Sequence, residues 1–235
     1  MPEEYTVIAQ QLTGIAGWIC GAYRFDAYLA FVAVAQHAST NLTKRVWEAI
    51  LRWCHYLLAT KDTRLHFRKV DPSTPFTAAA DSSCLNGPLP GSSYGGFCLG
   101  FPGSGAFMIR CLVPSKLADS SAGAEAIIAC HCVKAVAAMR MLCEELDLKQ
   151  LGPTPVAMDA QAVLDGTTMD RVSRVLQRAS RWMAARLAIL RQMVANSITR
   201  LVKVPTGTHI PDIFTKPITD PRHHGLLSGG LLGHQ

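Results

Sequence analysis

From residue 3 to residue 60, apolar side chains recur every three to four positions with polar ones between them. That is the period of amphipathic helices. Three segments stand out: TVIAQQLTGIAGWICGAY (6–23), DAYLAFVAVAQHAS (26–39) and NLTKRVWEAILRWCHYLLAT (41–60). Asp26 and Asn41 are placed to cap the second and third. Val46, Ile50, Trp53, Tyr56 and Leu57 share one stripe of the third, and Trp18, Trp47, Trp53 and Trp182 all fall on helical segments and read as core. Taken alone, this region is a small helical bundle with no chemistry of its own.

The period changes after KDTRLHFRKVDPSTP (61–75), which brings charge, prolines and a short strand over Leu65–Val70. FTAAAD (76–81), YGGFCLGF (94–101) and GAFMIRCL (105–112) are strand-like runs joined by Gly- and Pro-containing turns, an antiparallel meander. A long helix follows over 120–146, capped by Ser120 or Ser121. Then come a short buried strand VAMD (156–159), a turn over Gln161–Leu164, a long helix over 171–195, the strand SITRLVKV (197–204), and a last helix opening at IPDIFTKPI (210–218). The Gly-rich end, GLLSGGLLGHQ, reads as a loose tail. The order β-β-β-α-β-α-α-β-α predicts an α/β domain with one mixed sheet flanked by helices, preceded by the small all-helical segment.

Charge and cysteines add less. The net charge of +6 and pI near 9.0 lean toward a polyanionic partner. Eight scattered cysteines include no CxxC pair. Cys130-His131-Cys132 lies within a helical pattern, where neighbours point apart, so core thiols are expected there rather than zinc ligands. With no signal peptide read, the expected location is intracellular, cytoplasmic or nuclear. Gln10, Gln11, Arg24 and Asp26 break the apolar run at 6–36, so no membrane partner is expected.

Four acids mark element ends. Asp81 closes the first strand and Glu125 sits in the first turns of the long helix, on the stripe of Ile128, Cys132, Val136, Met139 and Leu142. Asp159 closes the strand VAMD, and Asp212 opens the last helix. Singly, a strand-end acid is a turn residue and a helix-start acid is a dipole partner. Together they make a carboxylate set able to hold divalent ions against a phosphodiester, since magnesium takes oxygen ligands from rigid elements.

The same residues carry a resemblance. DSSCLNGPLPGSSYGGF (81–97) resembles the opening hairpin of ribonuclease H. AEAIIA (124–129) resembles its ExxA helix motif, MDAQAV (158–163) its TDSQ-type strand end, and PDIFTKPI (211–218) its last acidic helix. More narrowly, LLATKDTRLHFRK, SSAGAEA, LCEELDLKQLGPTPVAMDAQAV and VPTGTHIPDIFTKPI resemble the C-terminal part of a copia-type LTR retrotransposon Pol polyprotein. QLTGIAGWICGAYRFDAYLAFVAVAQHAS (11–39) resembles the thumb and connection of that family's reverse transcriptase. Roughly residues 5–220 are covered. Gly123 stands where the family has an acid, Ala160 where it often has Asn, and RASRW (178–182) lacks its histidine, so the copy is diverged.

The resemblance implies a helical thumb/connection-like segment over 1–62, a ribonuclease H-like domain over 63–220 and a flexible tail over 221–235. It implies an endonuclease for the RNA strand of RNA–DNA hybrids, with Asp81, Glu125, Asp159 and Asp212 as catalytic metal ligands. Two Mg2+ ions would serve, with Mn2+ able to substitute, and Asp81 bridging them. A reverse transcriptase palm and fingers module, or a larger assembly, is the implied protein partner. Arg171, Arg174, Arg178 and Arg181, spaced by three and four, form either a solvated helix face or a phosphate-gripping ridge blind to base sequence. His209 reads as a surface loop histidine, or else as the mobile histidine that aids product release in ribonucleases H. A decayed or domesticated module, kept for nucleic-acid or protein binding or as a structural component, stays open beside the enzyme.

Overall fold

The computed structural model describes residues 2–38, 42–71, 73–87, 92–114, 118, 120–168 and 181–234. Three helices come first: α1 (Glu3–Ala22), α2 (Tyr28–Ala38) and α3 (Lys44–Ala59). Ala9, Cys20, Val34, Ile50 and Trp53 form a core among them. Thr43 caps α3 by accepting a hydrogen bond from Val46 N–H. Asp26 is not a cap. It lies in a 3-10 turn, Phe25–Ala27, and its buried carboxylate takes both Arg24 Nε (2.9 Å) and Nη2 (2.8 Å), plus the Tyr56 hydroxyl (2.6 Å). Arg24 reaches on to the Thr60 carbonyl and hydroxyl. The α1–α2 turn is thereby fastened to the end of α3. Trp53 is core as expected, but Trp18 is 72% exposed.

The sheet has five strands: β1 (Thr77–Ser82), β2 (Gly95–Gly100), β3 (Ala106–Leu112), β4 (Thr154–Met158) and β5 (Thr199–Lys203). Their order is β3-β2-β1-β4-β5. The β1–β2 and β2–β3 pairs are antiparallel, while β1–β4 and β4–β5 are parallel. This is the mixed sheet flanked by helices that the sequence anticipates. Helix α4 (Ser121–Glu145) is started by Ser120, whose hydroxyl accepts from Gly123 N–H. With α6 (Arg181–Ala195), α4 covers one sheet face; α5 (Gln161–Thr168) replaces the turn expected near 161–164. Ile128, Cys132 and Val136 of α4 meet Leu99, Val156, Met158, Leu187 and Leu190 in the main core. By length and composition α4 would suffice to cross a bilayer, yet half of that apolar window is buried here. Leu142, placed on the buried stripe by spacing alone, is exposed.

The opposite face is closed by Phe25, Ile213, Phe214, Leu227 and Leu231 against Cys98, Ile109 and Cys111. Phe25 belongs to the helical segment, so that segment keeps a core of its own and also finishes the sheet's second core. Gly95 and Gly96 of β2 make close packing possible on both faces. A Cβ at Gly95 would lie 2.1 Å from Ile128 Cδ1, and one at Gly96 would lie 2.3 Å from Phe214 Cβ.

Three further expectations are corrected. The strand expected over Leu65–Val70 is irregular chain outside the sheet: His66 N–H donates to Leu232 O, and Gly105 N–H donates to His66 O, both at 2.8 Å. The last helix does not open at Ile210; Ile210–Phe214 is a 3-10 turn. The segment read as a flexible tail is helix α7 (Pro221–Leu232), capped by Asp220 and ended by Gly233 at φ 79°. Leu227, Leu231 and Leu232 are buried beneath it.

Candidate metal centre

Parallel pairing of β1 with β4 sets Ala79 beside Ala157. Two residues further on, both strands reach an acid, Asp81 and Asp159. Side chains alternate with period two, so the two carboxylates leave the same face at neighbouring strand ends. Asp81 is fully buried. One oxygen, Oδ2, accepts from the Thr215 hydroxyl and lies 3.6 Å from Lys216 Nζ; Oδ1 is buried with no hydrogen-bond partner.

Glu125 enters from the start of α4. Its Oε1 accepts from Ser82 N–H at 3.1 Å, which ties the helix to the end of β1, and its Oε2 is buried and unpartnered. Burial, then the charges of Asp81 and Asp159, push the Glu125 carboxyl up to about 8. Asp159 is half-buried. Its Oδ2 accepts from the Thr206 hydroxyl at 3.0 Å, and Lys203 Nζ donates to its backbone carbonyl.

His209 is 1% exposed, which corrects the surface-loop reading. Nε2 lies 2.9 Å from Ala80 O. A carbonyl only accepts, so Nε2 donates a hydrogen there. Asp81, Asp159 and His209 each offer a ligand atom, all within 4.8 Å of one another. Asp212, 3% exposed, stands outside that group. Its Oδ1 accepts from Lys216 Nζ at 3.0 Å, while burial and then Asp81 raise its carboxyl above the ordinary range. Burial works against the Lys216 ammonium, but Asp81 and Asp212 outweigh it and hold the proton more tightly.

The four acids therefore sit in one electrostatic neighbourhood, and His209 joins them. Reasoning from sequence missed Thr206, Thr215 and Lys216, although the last two lie inside the PDIFTKPI motif. Arg171, Arg174 and Arg178 lie outside the described residues; Arg181 opens α6, and its side chain is outside them too.

Hard oxygen donors from several rigid elements, with two buried carboxylate oxygens unpartnered, fit a divalent cation of the magnesium kind. A buried carboxylate oxygen without a partner is costly, and a cation is a partner that removes the cost.

No family model matches the chain, and no curated protein matches it. Solved structures are similar to it at low identity. RNase H1 of the halophilic archaeon Halobacterium salinarum NRC-1 is 14% identical, with 58% of this chain and 90% of that one covered, TM-score 0.43. The N-terminal RNase H domain of a Mycobacterium tuberculosis protein, solved as a fusion with maltose-binding protein, is 13% identical over 61% and 91%, TM-score 0.43. A foamy viral protease-reverse transcriptase in complex with RNA/DNA hybrid is 11% identical; 94% of this chain but 29% of that one is covered, TM-score 0.44. What the site can do is read from its own residues.

Proposed function

We propose that this chain is a metal-dependent endonuclease that cuts the RNA strand of RNA–DNA hybrids and derives from a copia-type LTR retrotransposon polyprotein. The observation that carries the reading is the pair of buried, unpartnered oxygens, Asp81 Oδ1 and Glu125 Oε2, beside Asp159. A fold has no stability reason to keep two such atoms together, since each costs free energy without a partner. A site for a divalent cation has one.

Asp81, Glu125 and Asp159, with the His209 ring beside them, would hold Mg2+ or Mn2+. When bound, the ion activates water and stabilises charge at the phosphodiester. The chain's own groups orient that set. Ser82 N–H, Thr206 and Thr215 each fix one carboxylate oxygen, which leaves the other aimed by default. His209 holds the β1 backbone at Ala80, next to Asp81. A hybrid duplex would be recognised by shape and 2′-hydroxyls, with cations meeting phosphates. The helical segment would face a palm and fingers module supplied by another part of the polyprotein.

The test is cleavage of a fluorescent hybrid in Mg2+ or Mn2+, with binding followed separately in Ca2+. Wild type should cut the RNA strand, and EDTA should stop it. Asp81→Asn keeps the side chain's size and removes its charge, so cutting should fall to background while binding in Ca2+ stays within about threefold, as phosphate contacts dominate affinity. A wild-type chain that binds the hybrid but cuts it in neither metal is a binding module, and the enzyme reading falls.

A further inference from the structure

We infer that the Lys216 ammonium takes the place of the second metal ion, so that this centre binds a single divalent ion. The inference rests on the nuclease reading above and departs from the two ions that the resemblance implies. A second ion in such a site needs acids to share it, and Asp81 and Asp212 are the pair on offer. Between them stands Lys216. Its Nζ is 3.0 Å from Asp212 Oδ1 and 3.6 Å from Asp81 Oδ2. Both carboxylates are buried, and the lysine side chain is 36% exposed. The ammonium is therefore a fixed cation at the rim, held by two acids that cannot find water instead.

The oxygen inventory agrees. Asp81 Oδ2 is engaged by Thr215 and Lys216, Asp159 Oδ2 by Thr206, Glu125 Oε1 by Ser82 N–H, and Asp212 Oδ1 by Lys216. Among these carboxylates the oxygens left buried and unpartnered are Asp81 Oδ1 and Glu125 Oε2, neither of them an oxygen that Lys216 contacts. Asp81 is also one of three residues, with Asp159 and His209, whose ligand atoms converge. Asp212 does not converge with them. A dication on the oxygens that Lys216 holds would sit against the ammonium, so like charges oppose a second ion there.

The backbone builds this arrangement. Asp212 lies in the 3-10 turn Ile210–Phe214, and Lys216 N–H donates to Asp212 O at 2.9 Å, which sets the two side chains one turn apart. Asp212 is then a positioning residue that holds Lys216, and not a metal ligand.

The experiment counts Mn2+ bound to the full chain by equilibrium dialysis with electron paramagnetic resonance detection, without nucleic acid. Wild type should bind one ion. Lys216→Ala frees both acids and space and should bind two; Lys216→Arg keeps the cation and should bind one. Asp212→Asn should still bind one, with affinity within about threefold, and this variant keeps the inference testable should Lys216→Ala fail to fold. Two ions on wild type, one on folded Lys216→Ala, or a lost ion on Asp212→Asn would each overturn the inference while leaving a metal centre in place. No ion on wild type would overturn both the inference and the nuclease reading.

Discussion

Glu125→Gln in metal-free protein should raise stability at alkaline pH and do little at acid pH. Glu125 is 8% exposed, and its carboxyl is pushed from the ordinary 4.5 up to about 8 by burial, then by Asp81 and Asp159. Its folded pKa lies above the unfolded one, so between those values the folded chain holds a proton that the unfolded chain has lost. Stability is then full below pH 4.5 and drains away as pH rises through 8. At about 1.4 kcal/mol per pH unit, the whole effect is about 5 kcal/mol. Glutamine keeps the oxygen that accepts from Ser82 N–H and never ionises. Urea unfolding in EDTA at pH 5, 7 and 9 reads the difference. Wild type should lose about 3–5 kcal/mol more than the variant between pH 5 and 9. The raised Asp212 carboxyl is present in both proteins and cancels from the comparison. Added Mg2+ should flatten the wild-type curve, because a bound dication favours the carboxylate, and should leave the variant's curve nearly unchanged. Parallel losses in the two proteins would refute the assignment of a buried, proton-holding Glu125.

Asp26→Ala should cost about 3–5 kcal/mol in chemical unfolding, because it strands the buried Arg24 guanidinium; a cost below about 1 kcal/mol would count against that pair. Leu231→Ala, at a position 1% exposed, should cost about 2–5 kcal/mol, whereas a flexible tail would register almost nothing. Gly96→Val should destabilise by about 1–3 kcal/mol or more, since Phe214 must move from a Cβ contact of 2.3 Å; unchanged stability would show that β2 and the 3-10 turn are less closely packed than described.

The strands and long helices were legible because their periods differ and because the turns between them carry Gly, Pro and Ser. Asp81, Glu125 and Asp159 were legible as acids at element ends because the pattern already gave those elements' types, whereas Asp212, expected at a helix start, lies in a 3-10 turn. What failed needed information from far along the chain. His209 looked like a loop residue, yet its ring meets Ala80, 129 positions away. Lys216 stood in the quoted motif, but only folding could show that it meets Asp81 as well as Asp212. Asp26 has the chemistry of a cap, and a nearer, stronger donor, Arg24, claims it instead. The Gly-rich end has poor helix propensity, and Pro221 at its first turn with Leu227 and Leu231 under it overrides that weak preference.

Sheet topology explains why these acids, and not the other charged residues, form a centre. Within the order β3-β2-β1-β4-β5, β1 is the strand at which antiparallel pairing gives way to parallel. On its antiparallel side, the end of β1 faces the beginning of β2, where Gly95 and Gly96 offer no side chain to compete for space. On its parallel side it lies beside another strand's carboxyl end, and open α/β sheets place ligands at such ends. The crossover from the meander back to β4 runs through α4, which brings the Glu125 carboxylate to the end of β1 at Ser82. Shift the acid by one residue along β1 and it would face the opposite side of the sheet, away from Asp159. Position 81 is thus set jointly by the strand register and by the helix that must return over it. That coupling turns an acid at the end of a strand, alone no more than a turn residue, into part of the candidate metal centre.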